Sequence, residues 1–136
     1  MRMTAVPREP GTNPDCRKVS QILGRMGDKW TILTIGMLAE RPRRFNELKR
    51  LIGGISQQML TRTLKSLERD GMVKRKVHPT IPPQVEYGLT KLGSALAVPL
   101  MNLAVWVLDH LGEIESNRAL HDKRAEQGEA ASNVAS

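Results

Sequence analysis

Hydrophobic residues recur at helical spacing in the first part of the chain. Between Cys16 and Met26, apolar side chains return at every third or fourth position, which is typical of one face of an α-helix. Asp28 is then placed as the N-cap of a second helix, which is apolar on most sides until it meets Arg41-Pro42. Because so apolar a helix is stable only when it is covered, the pattern predicts that it lies at the centre of the core.

A pair of glycines separates the next two predicted helices. The first ends at Gly53-Gly54, and Ser56 follows as the N-cap of a helix predicted to run to Arg69 and to end at Gly71. Leucines form one face of this second helix, and polar or basic residues form the other: Leu60, Leu64 and Leu67 against Gln57, Gln58, Thr61, Arg62, Lys65 and Arg69. A helix, a tight glycine turn and a half-polar helix together predict a helix-turn-helix.

After Gly71 the spacing changes to the alternation of strands. Apolar and polar residues alternate over 73–78 and again over 85–89, on either side of the proline-rich turn 79–83. The sequence therefore predicts a β-hairpin in which Lys74, Lys76 and His78 share one face.

The last predicted helix is the most apolar part of the chain. Thr90 can cap it, and it is predicted to continue to about Leu111 with a bend at Pro99. Its apolar surface exceeds one face, and a small domain rarely covers two. We therefore expect a dimer interface on this helix, formed by Leu96, Leu100, Leu103, Trp106 and Val107.

The length of 136 residues suits one domain with its own core. That domain is predicted over 15–112, as a mainly α-helical α+β fold with a small β-hairpin, a winged helix-turn-helix. Residues 1–14 hold three prolines, and 113–136 lack a sustained apolar stripe. The two ends are therefore expected to be a mobile arm and a mobile polar tail.

The charge of the chain points to a polyanionic partner. Lys and Arg number 21 against 14 Asp and Glu, a formal net charge of +7. Composition alone does not separate nucleic acid from an anionic membrane or an acidic protein, but the basic residues cluster on the predicted helix-turn-helix and hairpin. Aromatic residues make up only 3% of the chain, too few for the stacking platforms that bind single strands, so duplex DNA is the predicted partner.

The predicted contacts to DNA fall into two sets. The second helix of the helix-turn-helix would enter the major groove, with its candidate contacts at Ser56, Gln57, Gln58, Thr61, Arg62 and Lys65. Glutamine can pair with adenine and arginine with guanine, whereas lysine more often meets phosphate. Contacts to the DNA backbone are expected from Arg43, Arg44, Asn46, Lys74, Lys76, His78 and Thr80.

Several ordered motifs resemble those of one bacterial family. They are Gly27-Asp28-Lys29-Trp30, Arg44-Phe45-Asn46-Glu47-Leu48, Gly54-Ile55-Ser56-Gln57-Gln58-Met59-Leu60, Leu67-Glu68-Arg69-Asp70-Gly71 and the hairpin segment Pro82-Pro83-Gln84-Val85-Glu86-Tyr87-Gly88-Leu89-Thr90. Across about Asp15 to Leu111 the chain thus resembles the HxlR-type, MarR-like winged-helix regulators of transcription. The resemblance implies a homodimer, joined by the N- and C-terminal helices, that binds a pseudo-palindromic operator as a regulator, taken here to be a repressor.

The single cysteine, Cys16, is a candidate redox sensor. Some regulators that this chain resembles respond to oxidants or electrophiles through the corresponding cysteine. Cys16 lies in the predicted first turn of a helix and is followed by Arg17 and Lys18, all of which favour a thiolate, whereas Asp15 opposes it. The alternative is a packed, unreactive thiol, and the sequence leaves open whether an oxidant or a small molecule is the effector.

Other classes of function lack support in the sequence. His78, His110 and His121 fall in different predicted elements, and no nucleophile stands with a base, so no metal site, cofactor or catalysis is expected. The N-terminus has no apolar signal segment and Asn102 interrupts the longest apolar run, which predicts a cytoplasmic protein that does not bind membranes. The remaining alternative is a winged-helix module that binds an acidic protein partner without operator specificity.

Overall fold

The computed structural model describes residues 14–135, and their side chains over 15–128. The elements are, in chain order, α1 (Pro14–Met26), α2 (Lys29–Glu40), β1 (Arg43–Arg44), α3 (Phe45–Ile52), α4 (Gln57–Arg69), β2 (Val73–His78), β3 (Gln84–Leu89) and α5 (Lys91–Ala135). The predicted helices and both hairpin strands are present, so the mainly helical fold class is confirmed. The predicted N-terminal arm lies outside the described residues, apart from the first residue of α1.

Side-chain caps begin the helices where the sequence placed them. The Asp28 carboxylate accepts a hydrogen bond from the backbone N–H of Thr31 at 3.3 Å, and the Ser56 hydroxyl accepts one from Met59 at 3.0 Å. In the same way, the Thr90 hydroxyl accepts a hydrogen bond from the N–H of Gly93 at 3.1 Å. Each cap satisfies a backbone donor that the first turn of a helix leaves unpaired.

The turn between α3 and α4 depends on its two glycines. Gly53 has φ of 60° and Gly54 has φ of 77°, in the left-handed region that a side chain disfavours. The residue after them, Ile55, is buried and anchors the turn to the domain. The predicted helix-turn-helix corner is therefore confirmed, with α4 starting directly after it.

The core lies among α2, α3 and α4. The largest side chains buried to less than about a fiftieth of their surface are Ile35, Leu48, Leu60, Leu64, Leu67 and Thr34. Their positions confirm that α2 is central and that the leucine face of α4 points inward. Burying a leucine or isoleucine contributes about 1.5–3 kcal/mol, so this cluster holds the helix-turn-helix together.

A short strand, β1, joins the hairpin into one sheet. In the described chain the strand order is β1-β3-β2, with both pairings antiparallel. Arg43 lies opposite Tyr87 and Arg44 opposite Glu86. Strand β1 is not predictable from the sequence, because two residues are too few to show an alternating pattern. Its consequence is that the hairpin is tied to the start of α3.

The beginning of α5 is fixed against the turn that follows α4. The hydroxyl of Thr90 donates to the carbonyl of Gly71 at 2.6 Å, and its backbone N–H donates to the carbonyl of Met72 at 3.0 Å. At Gly93 a β-carbon would come within 2.0 Å of the Met72 carbonyl oxygen. Only glycine permits so close an approach of helix and turn.

Helix α5 is longer than the sequence predicted. It passes through Pro99 and continues to Ala135 instead of ending near Leu111. Most of the segment predicted as a tail is therefore helical, and its mobility stays a prediction. The chain divides into two compact units between Leu100 and Met101.

The apolar part of α5 is long enough to be compared with a membrane span. Over Lys91–Gly128 its most apolar window has a mean hydropathy of 1.6, and only 17% of that window is buried. Length and composition alone would let this helix cross a bilayer, which is weak evidence for a membrane. The same surface is expected of a helix that a partner covers.

Candidate DNA-binding site

The face of α4 opposite its buried leucines carries the candidate base contacts. Gln58, Arg62 and Lys65 are exposed and follow each other at steps of four and three residues, so they form one row along the helix. Gln57 is exposed at the N-terminal end of this face, and Thr61 is half-buried at its edge. The structure therefore brings the predicted contacts of this helix together on one accessible surface.

Ser56 has a structural role in addition to its predicted contact with DNA. Its hydroxyl oxygen caps α4 through the N–H of Met59, while the residue itself is exposed at the corner of the helix-turn-helix. A hydroxyl that accepts one hydrogen bond can still donate its own proton. Ser56 is thus able to cap the helix and to donate to a phosphate oxygen at the same time.

The wing, defined here as residues 73–89, presents a basic face. Lys74 and Lys76 are exposed on β2, and directly opposed residues of an antiparallel pair project to the same side of the sheet. Lys76 is opposite Glu86, and the Nε2 atom of His78 lies 3.7 Å from a carboxylate oxygen of Glu86. The predicted cations of the wing therefore share their face with one carboxylate.

The loop at the tip of the wing has a different character. Thr80 is exposed, but its hydroxyl donates to the carbonyl of Pro82 at 2.8 Å, which orders the loop. Beside it, Ile81 is fully exposed, a feature that the sequence analysis did not single out. An apolar side chain at this tip is an additional candidate for contact with DNA.

Arg43 differs from the other predicted backbone contacts, because it is buried. Its Nε donates to the carbonyl of Met37 at 2.9 Å, and its guanidinium also bonds the carboxylates of Glu40 and Glu47. The residue is only 7% exposed. The predicted contact of Arg43 with phosphate is therefore replaced by a structural role, which joins the end of α2 to the start of α3.

Glu47 completes this junction from the first turn of α3. Its carboxylate pairs with the guanidinium groups of Arg41 and Arg43 and accepts the backbone N–H of Arg44. Burial raises the pKa of the Glu47 carboxyl, but the hydrogen bond and charge of Arg41, with the other two partners, lower it overall below its ordinary 4.5. A glutamate that returns to the N-cap in this way fixes the start of a helix.

The junction leaves two predicted contacts facing outward. Arg44 and Asn46 are exposed at the start of α3 and line a groove whose other wall includes Gln84 and Glu86 of the wing. Neither of these wing residues was predicted to belong to the site. Pairing the two hairpin strands about the turn 79–83 would have placed them opposite His78 and Lys76.

The predicted dimer residues of α5 are not equivalent. Leu103, Trp106 and Val107 are exposed, whereas Leu96 is half-buried and Leu100 is only 7% exposed. Leu100 therefore already belongs to the core of the single chain. Helix α1, the N-terminal helix that the resemblance implied in the dimer, has an exposed apolar surface formed by Val19, Ile22 and Leu23, which were not named as interface residues from the sequence.

The candidate redox sensor, Cys16, lies on α1. Cys16 is half-buried in the first turn of α1, and its thiol is free. Its neighbours Arg17 and Lys18 are exposed.

Together, the fold and this surface define a winged helix-turn-helix protein of the class that binds DNA and regulates transcription. The glycine corner, α4 as the recognition helix, and the basic wing follow each other along the chain in the order that this class requires. The chain belongs to the HxlR-like helix-turn-helix family, whose family model matches residues 25–115.

Individual relatives agree with this assignment. The chain is 38% identical over 105 residues to the HTH-type transcriptional regulator YtfH of Escherichia coli (strain K12), covering 77% of this chain and 81% of the relative. Among solved structures, the transcriptional regulator ytfH from Salmonella typhimurium matches with a TM-score of 0.71 and 32% identity, over 78% of this chain and 96% of the other. The reduced form of the redox regulator HypR matches with a TM-score of 0.68 and 35% identity, over 73% and 98%.

Proposed function

We propose that this protein is a sequence-specific regulator of transcription that binds duplex DNA as a homodimer and represses from a pseudo-palindromic operator. The observation that carries the proposal is the exposed row Gln58, Arg62 and Lys65 on a helix whose opposite face is buried in the core. Such a helix can enter the major groove without disturbing the fold. Membership of a family of transcriptional regulators supports the same function, and we propose no catalytic role.

Helix α4 and the rest of the site make different kinds of contact with DNA in this proposal. Gln58 and Arg62 contact base edges, because an amide and a guanidinium can each make two hydrogen bonds to one base. Lys74 and Lys76 of the wing, with Arg44 before α3, contact phosphates and set the register of the protein on the duplex. Contacts of the first kind give specificity, and contacts of the second kind give affinity.

A second copy of the chain is proposed to cover the exposed apolar surfaces of α1 and α5. Leu103, Trp106 and Val107 are each between 43% and 52% exposed, more than a soluble monomer favours on one helix. The cytoplasm is the proposed location, since a dimer covers these side chains as well as a lipid would. Two-fold symmetry would place two copies of α4 in major grooves about 34–36 Å apart.

The test begins with selection of the DNA that the protein binds. Genomic fragments retained by the purified full chain are sequenced, and a retained duplex and a random duplex are then compared in gel-shift titrations. We expect a shared, roughly palindromic sequence and tighter binding of the retained duplex. Retention of no duplex, together with binding to an acidic protein, would favour the interaction-module alternative.

Lys74→Ala and Gln58→Ala separate the two kinds of contact. Lys74→Ala is expected to weaken binding to every duplex and to reduce the slope of log affinity against log salt by about 1. Gln58→Ala is expected to weaken binding only to the selected sequence. Identical behaviour of the two variants would contradict the proposed division.

Redox control through Cys16 is a second, finer part of the proposal. The position of Cys16 in the first turn of α1, beside a surface proposed to meet the partner copy, supports it. A protein of similar structure is described as a redox regulator and was solved in oxidized as well as reduced form. Diamide is expected to weaken operator binding by the wild type and not by Cys16→Ser. An equal response of the two proteins would leave Cys16 as a packing residue.

A further inference from the structure

One carboxylate stands in the middle of the basic face of the wing. Glu86 is at the centre of a row across the sheet, opposite Arg44 of β1 on one side and Lys76 of β2 on the other. Directly opposed residues of antiparallel strands have β-carbons about 4.5–5.5 Å apart and project to the same face. The side chains of Arg44 and Lys76 therefore project from the same face of the sheet as Glu86, one on each side of it.

A third basic residue approaches the same group. The Nε2 atom of His78 lies 3.7 Å from the Glu86 carboxylate, and the two side chains are each 32% exposed. The carboxylate also lines the groove between the wing and the start of α3. Glu86 is thus accessible from a groove that Arg44 also lines.

The electrostatic consequence follows from the competition between two anions. A DNA phosphate that approaches Arg44 or Lys76 also approaches the Glu86 carboxylate, whose negative charge repels it. Sequence-independent binding to DNA comes from the neutralisation of phosphates by such cations. One negative charge in this row therefore reduces the affinity of the wing for any duplex.

We propose that Glu86 limits the sequence-independent affinity of this protein for DNA. Its role is to keep the wing weak enough that the protein is not held by the large excess of non-operator duplex. This inference rests on the proposed function, because it requires that the wing contacts phosphates. It assigns to Glu86 an effect opposite in sign to that of the lysines beside it.

The test measures binding of the full chain to a fluorescent random-sequence duplex by anisotropy, over a series of salt concentrations. Glu86→Gln keeps the size of the side chain and removes its charge. We expect it to bind the random duplex about 3- to 10-fold more tightly at low salt, with a salt slope about one unit steeper. The gain should shrink as salt rises, because screening weakens the repulsion.

Two further variants keep the test decisive. Glu113→Gln removes the same charge from an exposed position on α5 and is expected to change the affinity less than twofold. Gln84→Glu adds a second carboxylate to the same face of the wing, opposite His78, and is expected to weaken binding several-fold. If Glu86→Gln does not fold, Gln84→Glu tests the inference in its place. Weaker binding of the random duplex by Gln84→Glu then supports the inference, and unchanged or tighter binding overturns it.

The outcomes separate this inference from the proposed function. If the wild type binds no duplex at any salt concentration, the proposed function fails. If the wild type binds and folded Glu86→Gln binds equally or more weakly, Glu86 serves only to order the wing and the inference is overturned. The inference is overturned also if Glu113→Gln produces the same gain as Glu86→Gln.

Discussion

Helices α4 and α5 both present a surface to the outside, but the two surfaces have opposite chemistry. On α4 the leucines are buried within the chain, and the exposed side chains are amides, guanidiniums and amines. On α5 exposed apolar residues such as Leu108, 72% exposed, extend along the helix. The surface of α4 can form hydrogen bonds and ion pairs with a polar partner such as duplex DNA, and the surface of α5 can pack against another apolar surface. One chain therefore presents two surfaces of opposite chemistry, which we propose bind duplex DNA and a partner copy.

The largest expected effect is on the buried face of α4. Leu64 is 2% exposed, so Leu64→Ala removes buried methyl groups and leaves a cavity. The free energy of unfolding is expected to fall by about 2–5 kcal/mol, measured by urea denaturation. Arg62→Ala, on the exposed face of the same helix, serves as the control and is expected to change it by less than about 0.5 kcal/mol. Equal losses would contradict the assignment of the two faces.

On α5 a charge is expected to act on assembly and not on the fold of the single chain. Val107 is 43% exposed, and Val107→Glu would bury an unpaired carboxylate in the proposed dimer interface. Dimerisation is expected to weaken by about 3–5 kcal/mol, which sedimentation velocity would show as a monomer at micromolar concentration. An unchanged mass for this variant would argue that the dimer uses another surface. Glu126→Gln, on an exposed polar stretch of the helix, is the control.

The polar face of α4 is expected to show a smaller and more selective effect. Gln58→Ala should cost about 1–3 kcal/mol on the selected operator and almost nothing on random duplex. The measurement is a pair of titrations at one salt concentration. Because glutamine is uncharged, the loss cannot be assigned to a change in net charge. A uniform loss on both duplexes would move Gln58 from base contact to a structural role.

The smallest effect is expected at the junction of α2, β1 and α3. The folded-state pKa of Glu47 is lowered, chiefly by Arg41 against the opposing effect of burial, so its ionised form favours the fold. That stabilisation is present above the ordinary pKa of 4.5 and is lost as the pH falls through the lowered value. Glu47→Gln should therefore flatten the fall in melting temperature on the acid side of pH 5. A parallel acid profile for both proteins would remove this role from Glu47.

Periodicity in the sequence was sufficient for α2, α3 and α4, because each of these helices turns apolar side chains into the core. The leucine spacing of α4 predicted which residues are buried and which are exposed, and the glycine pair predicted the corner. The alternation of β2 and β3 predicted the hairpin in the same way. These features depend on residues that are close together in the sequence, so they can be predicted from one amino-acid sequence.

Features that depend on distant neighbours were not predictable in this way. Nothing in the sequence distinguishes Arg43, which is buried against three acceptors, from Arg44, which is exposed beside it. Strand β1 is too short to show a pattern, and it is defined only by its pairing with β3. The C-terminal part of α5 has no apolar stripe, although its Ala, Glu, Lys and Arg residues favour a helix.

The central claim is that two copies of α4 bind one duplex in successive major grooves. Hydroxyl-radical footprinting of the selected operator with the full chain tests it most directly. The account predicts two protected half-sites related by two-fold symmetry, with centres about 10–10.5 base pairs or a multiple of that spacing apart. Protection of one isolated site would contradict the account. The account would also be contradicted if Gln58→Ala gave the same footprint as the wild type and bound the operator as tightly.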